Sequence, residues 1–268
     1  MREYTPKGYA NLTVTEIPKC DVEKIGFDIC KQPRETIDSY YKRQTVKPDV
    51  LSNAGFFNMS NGNAVGTVMV QGYTYSASAK ITDGMGTLDN KSLSFGSSNV
   101  SRWKDFIGGY PVLVRNGQKV TTDLAKELNY RARRTCLGFN KDNIYLVCVE
   151  SPGMNFAQLQ NLMLKIGCTH AINLDGGGST RKLVHGVRKT KLVSNRAVDT
   201  VFYIKLKPWS GKTTYKYGKG LNIRSGPGTG YKILGNYVYG TNVTIYEQQG
   251  VWGRTSLGWV NVNYVRKV

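Results

Sequence analysis

Three consecutive glycines after a buried strand restrict the fold of this chain more than any other feature. Residues 144–149 form a continuous apolar run, which is typical of a buried strand. Ser151 and Pro152 then predict the start of a helix, because serine caps helices and proline is favoured in the first turn. Apolar residues at helical spacing continue this helix, at Phe156, Leu159, Leu162, Met163 and Ile166. After Gly167, which can end a helix, a second buried strand over 171–174 leads into the run LDGGGST.

The glycine turn contains Asp175, Gly176, Gly177, Gly178 and Ser179. Glycine lets a backbone turn sharply and approach a ligand closely, and successive amide groups can form a nest that binds an anion. Asp175 stands at a strand end, where α/β enzymes place reactive groups. A plain connecting turn, with Asp175 as a capping group, explains the same residues. The residues alone leave both interpretations open.

A second glycine-bearing turn carries side chains that suit a polar ligand. The turn over 53–58 contains Asn53, Gly55, Phe56 and Asn58. Asparagine amides bond to hydroxyl groups and phosphate oxygens, whereas the aromatic residues either floor a sugar site or fill the core.

Arginines precede two predicted strands, with Arg131, Arg133 and Arg134 before 135–139 and Arg196 before 198–204. A planar guanidinium can grip a phosphate with two hydrogen bonds. A solvated strand edge is the alternative, which we favour for two of the first three.

The composition changes near residues 207–213, which we interpret as a linker. Beyond it, short strands alternate with turns at even spacing, over 221–224, 243–246, 251–254 and 258–262. This pattern predicts a small all-β barrel. The chain therefore has two domains.

The formal net charge of +19 predicts anionic partners such as nucleic acid, an anionic membrane or a wall polymer. A solvated basic surface is the alternative. Charge alone does not choose among these partners, and no nucleic-acid-binding motif supports the first of them.

Several chemistries are disfavoured. The five cysteines have no zinc-ligand spacing, and the patterns of a nucleophile elbow and of a P-loop are absent. Cys20 and Cys30 are able to pair, but we expect reduced thiols. No cofactor is expected, and a divalent cation stays open.

The N-terminal run MREYTPKGYANLTV lacks the apolar region of a signal peptide, and no long apolar stretch follows. We therefore expect a protein made in the cytoplasm and released by lysis, as a phage product is, or exported by another route.

Four runs carry a family resemblance in order: SNAGFFN (52–58), GGYPVLVRNG (108–117), RRTCLGF (133–139) and GCTHAINLDGGGST (167–180). Together with Arg196-Ala197-Val198 they resemble the motifs of the phosphodiester glycosidase family, over roughly residues 20–206. Three departures are Ala54 in place of the family's usual glycine, Ala197 in place of proline, and Glu150-Ser151-Pro152 in place of Asp-Gly-Arg.

This resemblance implies an α+β fold, with a mixed-sheet catalytic domain over 1–206 that cleaves the bond between a sugar C1 and a phosphodiester oxygen. Arg134, Arg196 and the three glycine amides would hold the phosphate, and Asp175 or Glu150 would stabilise a cationic carbon or activate water. The implied substrate-binding residues are Asn53, Gly55, Phe56, Asn58, Gly176, Gly177, Gly178, Ser179 and Arg196.

The runs LNIRSGPGTGYKILG and GWVNVNYV resemble bacterial SH3 domains, which commonly bind peptidoglycan. The resemblance implies a wall-binding domain over 214–268. Its candidate binding residues are Tyr231, Trp252, Trp259 and Tyr264, some of which must be barrel core.

The tail and the positive charge suggest a wall or capsular polymer with sugar-1-phosphate links, such as a teichoic acid, as the substrate of a lysin-like protein. A catalytically weakened phage protein that binds a sugar phosphate or nucleotide is the alternative, motivated by Ala54 and the missing Asp-Gly-Arg. A nucleic-acid binder is a weaker third hypothesis.

Overall fold

The computed structural model describes residues 1–99, 102–120, 129–191 and 195–268. The chain forms two compact units. Unit 1 comprises Met1–Leu183 and Arg188–Lys205, and unit 2 comprises Val184–Val187 and Leu206–Val268.

Unit 1 is built mainly from β-strands. The strands up to the unit boundary are β1 (Arg2–Tyr4), β2 (Leu12–Pro18), β3 (Val22–Ile29), β4 (Val50–Asn53), β5 (Val68–Val70), β6 (Tyr73–Ser76), β7 (Asp83–Thr87), β8 (Ser94–Ser97), β9 (Asp105–Gly108), β10 (Val112–Arg115), β11 (Gln118–Lys119), β12 (Ala132–Phe139), β13 (Asn143–Met154), β14 (His170–Leu174), β15 (Lys182–Val184), β16 (Val187–Arg188) and β17 (Thr200–Leu206). The α-helices of the described residues are α1 (Ile37–Arg43) and α2 (Phe156–Lys165).

The strands form three sheets. One has seven strands in the order β1-β2-β13-β12-β14-β10-β11, and the others have five each, in the orders β16-β15-β4-β17-β3 and β6-β5-β9-β7-β8. Strand β12 pairs antiparallel with both β13 and β14. The predicted strand–helix–strand unit is therefore split: β13 and β14 run in the same direction with β12 between them. The α+β prediction is confirmed.

Helix α2 starts later than the sequence pattern predicts, and the predicted cap at Ser151 is wrong. Strand β13 continues to Met154, and Asn155 is the N-cap. Its Oδ1 accepts a hydrogen bond from the Gln158 amide at 2.9 Å, while Gln158 Oε1 accepts one from the Asn155 amide at 3.1 Å. This reciprocal capping box satisfies two amides at once, which a lone serine cannot do. The helix ends before Gly167, as predicted, and that glycine has a φ of +90°.

The apolar face of α2 covers the seven-stranded sheet. Phe156, Leu159, Leu162 and Met163 are buried there, as the helical spacing predicts. Helix α1 forms a second cluster with the sheet that contains β4 and β17. Polar side chains also join the two sheets, because Thr135 of β12 bonds to Asn53 of β4. That contact lies directly beneath the glycine turn.

Unit 2 contains eight short strands, which are β18 (Trp209–Thr213), β19 (Leu221–Arg224), β20 (Ile233–Tyr237), β21 (Asn242–Ile245), β22 (Glu247–Gln249), β23 (Trp252–Arg254), β24 (Trp259–Asn261) and β25 (Val265–Lys267). They form sheets of three and five strands, in the orders β21-β18-β25 and β20-β19-β24-β23-β22. The core contains Leu221, Ile223, Val243, Ile245, Val260 and Val265.

The segment 207–213, predicted as a linker, belongs to this unit, and most of it is strand β18. Strand β18 pairs with both β21 and β25, so its amides and carbonyls are used in the sheet. Only Lys207 and Pro208 connect β17 to β18.

Two further observations concern the whole described chain. None of its helices is long and apolar enough to cross a membrane. All five cysteines are free thiols, of which Cys20 is exposed and the other four are buried, so Cys20 and Cys30 are not joined.

Candidate functional site

The glycine turn follows β14 directly and is held against β12. Its three residues Gly177–Ser179 form a single 3-10 turn. A Cβ atom on Gly176 would lie 2.5 Å from the carbonyl oxygen of Arg133, which belongs to β12. Only glycine allows the backbones to approach this closely, so the turn is fixed by the sheet and does not simply connect two strands.

Asn53 holds the turn from below, which differs from its predicted contact with the sugar. Its side chain is fully buried. Its Nδ2 donates to the carbonyl oxygen of Asp175 at 2.6 Å, and its Oδ1 accepts from the Thr135 hydroxyl at 3.0 Å and from the Arg181 amide at 3.1 Å. A buried amide with these contacts has no access to a substrate. It is a positioning residue that ties both ends of the turn to β12.

Asp175 is the titratable group at the centre of the site. Burial raises the pKa of its carboxyl to about 6. Three neighbours oppose this rise: the Ser179 hydroxyl, which approaches without good hydrogen-bond geometry, the Gly176 amide, which donates to Oδ1 at 2.9 Å, and the Arg196 guanidinium. A carboxyl poised near neutral pH can exchange a proton during catalysis or carry a charge where one is needed.

Arg196 lies over the turn, in the position predicted for a phosphate contact. A Cβ atom on Gly178 would lie 2.5 Å from Arg196 Cζ and 2.6 Å from Nη2. The glycine therefore leaves room for the guanidinium to lie flat on the turn. Arg196 is exposed, so its donors are available to an anion in front of the glycines.

Arg134 faces a different part of the molecule from the predicted phosphate site. Its guanidinium lies 4.4 Å from the centre of the Phe156 ring, and it donates to the carbonyl oxygens of Met154 and Tyr130 at 3.3 and 2.8 Å. The arginine is buried on the α2 side of β12. These contacts join the end of β13 to the segment before β12. The phosphate contact of Arg134 stays a prediction.

Arg133 is the neighbour that alternation along β12 directs to the side of Thr135 and Asn53. Its Nε is shielded from solvent and has no hydrogen-bond partner among the described residues. Buried donors normally have an acceptor, so this atom marks a place that a ligand oxygen or a water would fill. The sequence pattern placed Arg133 in the arginine cluster but did not select it.

The carboxylate of Glu150, the second candidate, is already engaged. Its Oε1 accepts a hydrogen bond of 2.5 Å from the amide of Lys191. Glu150 also lines a shallow pocket of about 380 Å³ with Arg131 and Gln158. The contact with Glu150 ties the backbone of Lys191 to β13.

The remaining predicted substrate contacts lie in the turn after β4. Gly55 is buried and donates to the Thr200 hydroxyl at 2.7 Å, and Phe56 is half-buried. Asn58 is exposed, and its Oδ1 accepts from both the amide and the hydroxyl of Ser60. These contacts shape the turn. The backbone before Gly55 also contacts the glycine turn, because the Ala54 carbonyl oxygen accepts a hydrogen bond from the Asp175 amide at 3.0 Å.

Three residues that the sequence patterns did not single out complete the arrangement. Thr135 supports Asn53, and the Thr180 hydroxyl is buried without a hydrogen-bond partner in the described part of the chain. Arg181 is buried, pairs with Asp38 and donates to Asn195 Oδ1 at 3.0 Å. Alternation along β12 indicates which side of the strand Thr135 faces. Its contact with Asn53 of β4 depends on the tertiary structure, which no local pattern predicts.

No group of three or more His, Cys, Asp or Glu side chains converges as a metal site requires, within residues 1–99, 102–120, 129–191 and 195–268.

The candidate wall-binding aromatics of unit 2 differ in exposure. Tyr231 is half exposed, and its ring lies against Gly226 and Gly228. Tyr264 is exposed and meets the edge of the Tyr215 ring at 5.0 Å. Trp252 and Trp259 are partly buried, and the guanidinium of Arg224 lies 5.9 Å from the Trp252 ring. All four side chains are therefore at least partly exposed to solvent, and their role in binding stays a prediction.

Comparison with known families gives two matches along the chain. A family model described as phosphodiester glycosidase matches residues 47–205, and one described as bacterial SH3 domain matches residues 219–266. The N-acetylglucosamine-1-phosphodiester alpha-N-acetylglucosaminidases of Mus musculus and Homo sapiens are 25% and 26% identical over 164 residues. The alignments cover 51% of this chain and 32% of each relative, so the chain spans about a third of their length.

Solved structures share the fold. The catalytic domain of the zebrafish N-acetylglucosamine-1-phosphodiester alpha-N-acetylglucosaminidase, auto-inhibited by its pro-peptide, superposes with a TM-score of 0.57 at 19% identity, covering 74% of this chain and 85% of that chain. A hypothetical protein from Synechocystis superposes with a TM-score of 0.63 at 15% identity, covering 77% of this chain and 61% of that one.

Proposed function

The chain belongs to the phosphodiester glycosidase family, and we propose that it hydrolyses the bond between a sugar C1 and a phosphodiester oxygen. The observation that carries this proposal is the placing of the Asp175 carboxyl, with its pKa raised to about 6, in a glycine turn covered by Arg196. A cation and the backbone amides of a glycine turn suit the phosphate, and the carboxyl suits the sugar carbon beside it.

The leaving group explains why one carboxyl suffices. Breaking the C1–O bond releases a phosphate monoester, which is a much weaker base than an alkoxide and therefore needs little protonation. Its negative charge needs a clamp, a role that we assign to Arg196 and to the amides of Gly177 and Gly178, because the Gly176 amide already donates to Asp175. Asp175 in its ionised form then stabilises the cationic C1 or draws a proton from the attacking water.

Asp175 is favoured over Glu150 as the acting carboxylate. The Glu150 oxygen is taken up by the Lys191 amide at 2.5 Å. Asp175 in contrast is bonded only within its own turn among the contacts described, and the amide of Asn53 fixes its backbone. Its carboxyl is therefore oriented and still near the anion site.

The decisive experiment locates the bond that breaks. A methyl phosphodiester of N-acetylglucosamine-1-phosphate is hydrolysed in H₂¹⁸O, and the methyl phosphate product is analysed by mass spectrometry. Cleavage at C1 leaves this product free of ¹⁸O, whereas cleavage at phosphorus adds one ¹⁸O atom and contradicts the proposal.

The variant Asp175→Asn is the matched test of the residue, since it keeps the size and the Gly176 contact. Turnover should fall by orders of magnitude with the fold intact. Near-normal turnover would remove Asp175 from the mechanism. Tight binding of the diester by the wild type, without any product, would instead favour the alternative of a catalytically weakened protein that binds a sugar phosphate.

We further propose that unit 2 targets this activity to a bacterial cell wall or capsular polymer that contains sugar-1-phosphate links, in a phage or bacterial lysin. The bacterial SH3 match over residues 219–266 and the net charge of +19 support this proposal. Pulldown on purified walls should retain the full chain and release a chain that ends at residue 206. Equal retention of both would contradict the anchor.

A further inference from the structure

A second cavity of about 660 Å³ opens in unit 1, away from the glycine turn. Its wall comes from β3, β9, β17, the end of β5, and the segment that leads from α1 toward β4. None of its lining residues belongs to the glycine turn, to the seven-stranded sheet or to the turn after β4. Its volume lies in the usual range of small-molecule sites, roughly 300–1,000 Å³. It is thus a separate candidate binding site.

The cavity wall offers hydrogen-bond acceptors and donors close to an aromatic ring. Asp28 lines it and accepts from the Tyr40 hydroxyl at 2.5 Å. Lys24 stands over the Tyr203 ring at 5.6 Å from its centre, and Lys104 is exposed at the rim. Carboxylates, amines and amides beside an aromatic ring are groups that recognise the hydroxyl groups of a sugar.

The local backbone is adapted to the polar floor. A Cβ atom on Gly26 would lie 2.9 Å from the Tyr203 hydroxyl and 3.0 Å from Asn90 Nδ2. The missing side chain lets Tyr203, Asn90 and the buried Asp105 meet beneath the cavity. Gln44 lines it too, and its Nε2 is shielded from solvent without a hydrogen-bond acceptor in the described residues. Buried donors normally have an acceptor, and a bound hydroxyl group would supply one.

The charges argue against a phosphate in this cavity. Its wall carries three basic and three acidic residues, namely Lys24, Lys104, Lys205, Glu23, Asp28 and Asp105. Lys205 is moreover neutralised by Asp49 at 2.9 Å. An anion would meet carboxylates at short range, whereas the hydroxyl groups of a neutral sugar can both donate to carboxylates and accept from lysines.

We propose that this cavity is a second glycan site, which binds a neutral hexose unit apart from the reacting sugar phosphate. The choice of a sugar as ligand rests on the proposed function, but the binding itself does not require hydrolysis. Such a site would hold a neighbouring or released sugar of the same polymer while the glycine turn acts on the phosphate.

The test is a titration of the full chain with glucose, galactose, N-acetylglucosamine and inorganic phosphate, followed by saturation-transfer NMR and calorimetry. At least one of the three sugars should bind to the wild type and equally to Asp175→Asn. The double variant Gln44→Ala/Lys104→Ala should weaken that binding about tenfold or more, since two hydroxyl partners are lost. Lys141→Ala, which removes an exposed lysine elsewhere, is the control and should bind normally.

Three outcomes overturn the site: no sugar binds, inorganic phosphate binds at the cavity in place of the sugars, or the double variant binds as the wild type does. Loss of sugar binding in Asp175→Asn would assign the sugar to the glycine turn and also overturn it. Because sugar binding is also measured on Asp175→Asn, which is expected to be inactive, the binding result can be interpreted even if the hydrolysis assay shows no activity.

Discussion

The replacement of Asp175 by asparagine should make the fold more stable at neutral pH while it removes the activity. In the folded chain, burial raises the pKa of Asp175 from 3.8 to about 6. Its ionised form is therefore disfavoured by the surroundings. Asparagine has nearly the same shape, and its Oδ1 can still accept from the Gly176 amide.

The magnitude follows from the two pKa values. A rise from 3.8 to about 6 corresponds to about 3 kcal/mol, since each pKa unit is worth about 1.4 kcal/mol. Because the pKa of Asp175 is raised in the folded state, ionisation of this residue lowers the free energy of unfolding. The protein therefore has its full stability below about pH 4 and loses about 3 kcal/mol of it as the pH rises through about 6. For a domain of this size about 3 kcal/mol corresponds to an increase of roughly 6–12 °C in Tm.

The assay is differential scanning calorimetry of the wild type and Asp175→Asn between pH 4 and pH 8. The Tm difference should be close to zero at the acid end, grow through pH 5 to 6, and level off above pH 7 in favour of the variant. Asp89→Asn is a control of opposite sign. Hydrogen bonds from the amides of Lys91 and Ser92 lower the pKa of Asp89, so its carboxylate contributes stability above its unfolded pKa that is lost on acidification.

A Tm difference for Asp175→Asn that does not change with pH, or one that favours the wild type at pH 7, would refute the reasoning. Either result would mean that the carboxyl is not strained by its surroundings. The activity provides an independent check, because an ionised Asp175 requires kcat/KM to rise with pH up to about 6 and then stay level.

Other variants separate positioning from binding. Asn53→Ala should lower kcat about 100-fold with little change in KM, because the turn loses three anchoring hydrogen bonds; a larger effect on KM than on kcat would place Asn53 in contact with the substrate. Arg196→Gln should raise KM at least tenfold without lowering Tm, since a charge-assisted bond is worth roughly 1.5–3 kcal/mol. Arg134→Gln should lower Tm and leave KM unchanged. If Arg134→Gln raised KM and Arg196→Gln lowered Tm, Arg134 would be the phosphate contact and Arg196 the structural residue. Gly178→Ala should displace the Arg196 guanidinium and raise KM to a similar extent as Arg196→Gln.

Local patterns predicted much of unit 1 and of the barrel. Helical spacing located the body of α2, and the apolar run before it is half of β13. The evenly spaced strands after residue 220 appear as β19, β21, β23 and β24. These features depend on neighbours along the chain, which is why periodicity and turn residues suffice to find them.

The candidate site divides differently. The glycine turn, Asp175 and Arg196 stand out in the sequence, and the structure brings these three together. The roles of Arg133 and Arg134 do not stand out. Alternation says that they face opposite sides of β12, but not which side holds α2 and which holds the turn.

The amino-acid sequence by itself determined the presence of the glycine turn, its acid and the two-unit organisation, because these depend on short-range sterics and composition. Three features were decided only by the tertiary structure. Asn53 is buried and hydrogen-bonds to the glycine turn, the Arg134 guanidinium packs on the Phe156 ring, and a second polar cavity forms between β3, β9 and β17. Each of these depends on pairing between strands distant in the chain. Such pairing is set by the packing of whole sheets, and no local pattern records it.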